Sequence, residues 1–273
     1  MQYDPIKRSL GKVFNKSPLS RKLFYHLLDI LLLRAWHIKK ALREYTIGQK
    51  AEVHVLDAGS GFGQYVFFLG RKNPQWHILG LDVKEEQIED CNNFFSSIGH
   101  KNARFQVADL TRIDFDHSFD LVLCVDVMEH IEEDVLVLKN YHQALKNGGM
   151  LLISTPSDQG GSDVHHEHHD HTGAKGFIDE HVRDGYGIDE LDRKLRAAGF
   201  SDTDIRYQYG VPGKISWKLS MKFPILMLNT TKVFFVLLPF YYLLVFPFCL
   251  LLNYLDVRMT HPTGTGLIAK AWK

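Results

Sequence analysis

Residues 53–70, VHVLDAGSGFGQYVFFLG, decide the fold. They open on a short apolar run, Val53, Val55 and Leu56, of the kind that forms a buried parallel strand. The run ends in an acid and a ladder of glycines, Asp57, Gly59, Gly61 and Gly63, and an apolar, helix-compatible segment follows at once. A strand, a glycine-rich turn and a helix start together predict a nucleotide-type cofactor site, because backbone without Cβ atoms turns sharply and approaches a ligand closely.

Spacing separates the candidate sites. A dinucleotide fold asks for G-x-G-x-x-G, whereas the third glycine here comes one residue early, with Gln64 after it. An acid two residues before the first glycine is the second departure, giving D-x-G-x-G-x-G. A tight strand-to-helix turn uses the same glycines, so the stretch alone leaves both readings open.

Outward from it, elements alternate. Residues 76–83 (WHILGLDV) read as a second buried strand ending in Asp82, nineteen residues past Gly63. That position suits an acid accepting hydrogen bonds from ribose hydroxyls, or one capping the helix that starts near Lys84. Residues 84–98 predict a helix stopped at Gly99. Residues 104–110 form a third strand ending in Asp109, and 119–127 (FDLVLCVDV) a fourth. A helix over 131–146, a fifth strand over 150–154, a helix over 187–198 and a sixth strand over 203–209 complete the series. Strands alternating with helices imply a parallel sheet.

Composition bounds the function. In 273 residues, 32 Lys plus Arg balance 32 Asp plus Glu, so no basic excess argues for nucleic acid. Three cysteines, Cys91, Cys124 and Cys249, stand far apart in no ligand spacing, which fits a reducing compartment. No apolar run followed by a cleavage site opens the chain, so no secretory signal is expected.

With the ladder, the acid after strand two and the acid after strand three in order, residues 53 to about 209 resemble the core of class I S-adenosylmethionine (SAM) dependent methyltransferases. The methyltransferase type 11 and quinone O-methyltransferase group is the nearest. The resemblance implies an α/β, Rossmann-like seven-stranded sheet with an antiparallel last strand, and SAM as cofactor. It places Asp57, Gly59, Gly61 and Gly63 on the methionine moiety and Asp82 on the ribose. Asp109 with Leu110 would face the adenine, and the backbone at Val125 and Asp126 would lie along the cofactor. Asp126-Val127-Met128-Glu129-His130 is similar to the E-x-x-E-H of the quinone enzymes. There two acids and a histidine can hold a divalent cation such as Mg, which would acidify a hydroxyl acceptor. Asp126, Glu129 and His130 are therefore candidate metal ligands, although Asp126 is shorter than the family's Glu and the acid–histidine pair also caps helices.

Residues 157–186 are polar and carry five histidines within 165–171. Adjacent side chains in an extended chain point apart, so the tract reads as a solvated loop, placed where relatives build a substrate lid. His165 and His181, with His130, are the candidate catalytic bases, and His181, Arg183 and Tyr186 the candidate substrate contacts.

Two segments flank this core. Residues 20–45 predict one helix, N-capped by Ser20, with Leu23, Leu27, Ile30, Leu31 and Ile38 at helical spacing among basic residues. It is a lid on the catalytic domain, a basic amphipathic helix on a membrane, or both at once. Residues 233–252 (VFFVLLPFYYLLVFPFCLLL) hold no charge, which is enough length to enter a bilayer. Residues 264–273 resemble the family's seventh strand, which pairs antiparallel beside strand six, so both ends of the apolar segment must lie on one side of any membrane. We expect Pro239 and Pro247 to break its helix, Asn229, Thr230 and Thr231 to turn it, and Lys214, Lys218, Lys222 and Arg258 to hold it at the surface.

The expected organisation is an N-terminal loop and helix (1–45), a SAM-binding core (46–213), a membrane-associated helical insertion between strands six and seven (214–258), and a final core strand (259–273). The expected activity is methyl transfer to a hydrophobic or lipid-linked acceptor, at oxygen, on the cytoplasmic side of the cell membrane. A small soluble acceptor, or a SAM-binding scaffold without turnover, are the alternatives.

Overall fold

Side-chain alternation makes a sheet buried on both faces. Val55, Leu121, Leu123 and Leu152 join one apolar cluster, while Leu56, Val122, Cys124, Leu151 and Ile153 join the other. The computed structural model describes residues 17–46, 52–160, 182–231 and 234–273. Its strands are β1 (His54–Ala58), β2 (His77–Asp82), β3 (Ala103–Val107), β4 (Phe119–Val125), β5 (Leu145–Pro156), β6 (Asp202–Gln208) and β7 (Gly266–Trp272). They form one seven-stranded sheet in the order β3-β2-β1-β4-β5-β7-β6. β1 to β5 run parallel, and β7 slots antiparallel between β5 and β6, with Ile153 and Ile205 both opposite Ala269. The expected sheet and its reversed last strand are present.

Helices α1 (Pro18–Leu31), α2 (Leu33–Thr46), α3 (Gln64–Lys72) and α4 (Glu85–Ser97) contribute to one cluster, which includes Tyr25, Leu42, Val66 and Phe94. Helices α5 (Asp134–Ala144) and α6 (Ile188–Ala197) supply Val137, Tyr141, Leu191 and Leu195 to the other.

The single helix expected over 20–45 is two. Leu32 is extended (φ −90°, ψ 110°), and the bend lets Leu33, Ile38 and Leu42 bury where a straight helix would have carried them off the core. The N-cap is Ser17, not Ser20: Ser20 N–H donates to Ser17 Oγ and Ser17 N–H to Ser20 Oγ, both at 3.1 Å. Ser20 is the reciprocal third helical residue of a capping box.

Between β6 and β7 stands a helical hairpin. Its first arm is α7 (Val211–Trp217), a π-helical turn (Lys218–Lys222) and α8 (Phe223–Thr230); its second is α9 (Phe234–Arg258). The turn comes slightly later than expected, since Asn229 and Thr230 remain helical. Pro239 and Pro247 do not break α9, contrary to expectation. Contacts to the first arm beyond each proline hold the helix together: the Tyr241 hydroxyl donates to Leu219 O at 2.7 Å, and Ser216 Oγ donates to Cys249 O at 3.3 Å.

The π turn has a covalent cause. Pro224 has no N–H, so Ser220 O loses its α-helical partner and Leu219 O its π-helical one. Tyr241 serves Leu219 O, and the Tyr242 hydroxyl donates to Ser220 O at 2.8 Å. Two tyrosines thus satisfy the two carbonyls that the proline leaves, and in doing so clasp the arms.

Candidate functional site

At the carboxyl ends of β1, β2 and β4 the chain encloses the glycine turn. Gly59 and Ser60 N–H groups both donate to Leu81 O at 2.8 Å, laying the turn across the end of β2. Gly59 has φ +82°, and a Cβ there would lie 2.2 Å from Val127 Cγ2. Gly61, at φ +49°, is the converse: a Cβ would meet nothing within 4 Å, so this side of the turn is open. Gly63 is the N-cap of α3.

Beside the turn, Asp57 is buried, and its Oδ2 has no hydrogen-bond partner among the described residues; nor has Ser60 Oγ. Burial, reinforced by the Asp82 carboxylate, pushes the Asp57 carboxyl up to about 7. A buried acceptor without a donor, next to backbone that a Cβ would obstruct, fits a cationic ligand group such as the ammonium of SAM. Asp82 Oδ2 accepts from Gly61 N–H and Oδ1 from Lys84 N–H, each at 3.0 Å. It braces the turn and also stops the strand.

The other sequence candidates are placed around this centre. Asp109 accepts from Thr111 N–H at 2.9 Å and Thr111 Oγ1 at 2.7 Å, bonds that hold its carboxyl below the usual range. Leu110 is buried and its carbonyl accepts from Asn140. Val125 ends β4, and Asp126 follows in the left-handed region (φ +51°), its N–H donating to Ser154 O at 2.8 Å. His165 and His181 lie outside the described residues.

The proposed cation ligands do not converge. The Asp126 carboxylate is ion-paired to Arg34. Glu129 is 1% exposed and accepts from Thr155 Oγ1 at 3.0 Å, with burial raising its carboxyl above the ordinary range. His130 is exposed where Glu129 is buried, within electrostatic reach of its carboxylate. A one-turn 3-10 segment, Met128–His130, turns adjacent residues to opposite environments, so the D-x-x-E-H pattern does not become a ligand set. The donors present do not fit a divalent cation. Among the described residues, Glu52, His54 and His77 do bring ligand atoms together, but at the amino ends of β1 and β2, opposite the glycine turn. Arg183 and Tyr186 are likewise not open to a substrate. Arg183 pairs with Asp134, and the Tyr186 hydroxyl donates to Asp134 Oδ2 at 2.9 Å and Met128 O at 3.2 Å, bracing the segment after β4.

Sequence reasoning missed the roof. From α1, Arg21 Nη2 donates to Phe62 O at 3.0 Å, the Tyr25 hydroxyl donates to the same carbonyl, and Asp29 Oδ1 accepts from Gln64 Nε2 at 2.7 Å. From α2, Arg34 reaches Asp126, with Tyr65 and Tyr209 within electrostatic reach of its guanidinium. Tyr209, at φ +58°, is a second left-handed non-glycine residue at this edge. Gly80 was also missed; a Cβ there would stand 2.5 Å from Phe105 and 3.0 Å from Ser60. The flanking helix is thus a lid on the catalytic domain, one of its two expected roles.

A family model described as a methyltransferase domain matches residues 49–199, more than half of the chain. A phosphoethanolamine N-methyltransferase of Triticum aestivum is 31% identical over 157 residues, 57% of this chain and 28% of the relative. A probable (S)-tetrahydroprotoberberine N-methyltransferase of Papaver bracteatum is 27% identical over 99 residues, 36% of this chain and 28% of the relative. The chain therefore spans under a third of the length of these relatives. In fold it is similar to phosphoethanolamine N-methyltransferase 2 of Haemonchus contortus, solved with SAM, at TM-score 0.61 and 16% identity, over 97% of this chain and 59% of that one. It is also similar to a SAM-dependent methyltransferase of Mesorhizobium loti, at TM-score 0.55 and 16% identity, over 88% and 100%. The glycine turn, the ordered acids and the reversed last strand agree with these matches, and the chain belongs to the class I SAM-dependent methyltransferases.

Proposed function

We propose that this methyltransferase modifies an amphiphilic, lipid-like acceptor at a membrane surface, on its cytoplasmic face. One observation carries the reading: the apolar hairpin is uncovered and rooted beside the site. Val236–Arg258 has a mean hydropathy of 2.0, yet only 11% of its most apolar window is buried. Phe240, Leu243, Leu244 and Phe248 are each at least 65% exposed, an apolar surface that water alone would not favour. α9 is ~37 Å long at 1.5 Å per residue, but β6 and β7 pair at its root, so the hairpin enters and leaves on one side. Lys214, Lys218, Lys222 and Arg258 suit an anionic surface.

Asp256 roots the hairpin. Its carboxylate accepts from His37 Nε2 at 2.9 Å, Gly213 N–H at 2.9 Å and Tyr209 N–H at 3.2 Å. His37 lies one helical turn from Arg34, so the apolar arms begin where the roof of the site ends. An acceptor held in the interface would present its polar end there.

Bound SAM supplies an electrophilic methyl group on a sulfonium. In our reading Asp57 and the glycine turn hold the methionine end, Asp82 the ribose, Asp109 and Leu110 the adenine, and the Val125–Asp126 backbone the intervening edge. The chain's main contribution is then positioning, since in-line displacement depends on holding the nucleophile in place. Asp126, at the end of β4 and paired to Arg34, is in this reading the carboxylate that orients an acceptor.

Oxygen was expected as the acceptor atom from the resemblance to quinone O-methyltransferases. The relatives above are named for transfer to nitrogen, which supports nitrogen as a second reading. Incubating the protein with methyl-labelled SAM and a membrane-lipid extract tests the proposal. Label in the organic phase, absent with Asp57→Ala, supports it, and hydrolysis of the product distinguishes oxygen from nitrogen. Label only in water-soluble acceptors, or SAM binding without any transfer, overturns the lipid reading.

A further inference from the structure

Helix α1 has two apolar faces, and the fold uses one. At about 100° per residue, Leu19, Leu23, Leu27 and Ile30 fall within an arc of about 80°. They are 79%, 55%, 38% and 42% exposed. Arg21, Phe24, Tyr25 and Leu28 occupy the opposite side and meet the core. A helix packed on a domain by one stripe ordinarily turns polar residues outward. Here the outward stripe is four large aliphatic side chains.

The inward face grips the cofactor turn. Arg21 and Tyr25 donate to Phe62 O, Phe24 meets the Phe62 ring edge-on at 5.9 Å, and Asp29 receives Gln64. Phe62 and Gln64 stand on either side of Gly63, and Phe62 follows Gly61, where the side of the turn is open. The same short helix therefore fixes the cofactor turn and presents a greasy stripe outward.

What covers the stripe follows from its neighbours. α1 continues through the bend at Leu32 into α2, and α2 is bonded to the hairpin by His37 to Asp256 and by Lys40 Nζ to Val257 O at 2.7 Å. The hairpin's own outward side is apolar and uncovered. At the bend the half-buried Trp36 donates its indole N–H to Ile30 O at 3.2 Å, an aromatic of the kind enriched at lipid headgroups. Exposed Lys22 and His26 border the stripe.

We propose that the outward face of α1 is a second bilayer contact, and that membrane docking tightens SAM binding by holding α1 down on the glycine turn. This rests on the membrane reading above. A bilayer that binds the seated helix better than the lifted one shifts that equilibrium toward the seated state. By linkage, SAM must raise the affinity for the bilayer by the same factor.

The test measures SAM affinity of the full chain by calorimetry, with and without vesicles of equimolar phosphatidylcholine and phosphatidylglycerol. Vesicles are expected to tighten binding about fivefold or more. SAM should raise vesicle partition equally. The variant Leu19→Ser/Leu23→Ser/Leu27→Ser should bind SAM like wild type in solution and still sediment with vesicles through the hairpin, but lose the tightening. Leu19→Ser alone, at the most exposed position, should lose part of it and guards against misfolding of the triple variant. Wild-type affinity unchanged by vesicles that the chain does bind, or full tightening in the variants, overturns the coupling and spares the membrane reading. Absence of any sedimentation overturns both.

Discussion

Replacing Asp256 by alanine should loosen the enzyme at the joint between roof and hairpin. The side chain is wholly buried and accepts from His37, Tyr209 N–H and Gly213 N–H, with His261 Nε2 3.2 Å from Oδ1. Truncation leaves two backbone donors and an imidazole without their acceptor. At about 1–3 kcal/mol for each buried donor left unpaired, less the desolvation recovered from the carboxylate, the loss is about 3–5 kcal/mol. That is a large share of a typical domain stability of about 5–15 kcal/mol. Asp256→Asn retains one acceptor oxygen and should lose about half as much. Urea unfolding measures it: the midpoint should fall with an unchanged slope. The pH dependence has a definite sign. Burial raises the Asp256 carboxyl, but the His37 bond and the nearby His37 and His261 outweigh it, leaving it below its ordinary value. A depressed carboxyl contributes stability that is complete above about pH 4 and is lost as pH falls further, so wild type and Asp256→Ala should converge in acid. A loss under about 1 kcal/mol at neutral pH would refute the account of Asp256 as the anchor.

Three more outcomes follow from the site. Because the Asp57 carboxyl sits at about 7 in the ligand-free chain and a cationic ligand favours its charged form, SAM binding should expel a proton; affinity should climb from about pH 5 to 7 and level above, and Asp57→Asn should flatten the curve. Gly61→Ala, where a Cβ meets no protein atom, should cost only about 1 kcal/mol of stability yet abolish SAM binding by calorimetry; retained binding would show that the open side of the turn is not ligand space. Tyr242→Phe strips Ser220 O of its donor and should lower stability by about 1–2 kcal/mol in urea unfolding, with SAM affinity unchanged.

Most of the sheet was legible because its signals are local. Buried strands are runs of apolar residues, the turn needs its glycines, and Asp57, Asp82 and Asp109 stand at strand ends whose order the chain itself supplies. The roof was not legible, because it depends on where a distant segment lands. Nothing at Leu32 marks a break, since its extended backbone is dictated by the core that Leu33 and Ile38 must reach. Arg34 looked like one more base on an amphipathic helix until the fold set it against Asp126. Glu129 and His130 read as neighbours, but a single tight turn separates them into buried and exposed. Pro239 and Pro247 looked like helix breakers because the bonds that hold α9 come from the other arm.

The position of β7 has a consequence for synthesis. β6 is not backbone-paired with β5; its one strand partner is β7, which follows the hairpin in the chain. At about 5–20 residues per second, the ribosome needs about 3–12 s to pass from the end of β6 to β7. During that interval β6 has no strand partner, and the most apolar stretch of the chain emerges without its lock. A nascent chain in that state has two outcomes, capture of the hairpin by a nearby bilayer or self-association. The arrival of β7 then fastens whichever arrangement has already formed.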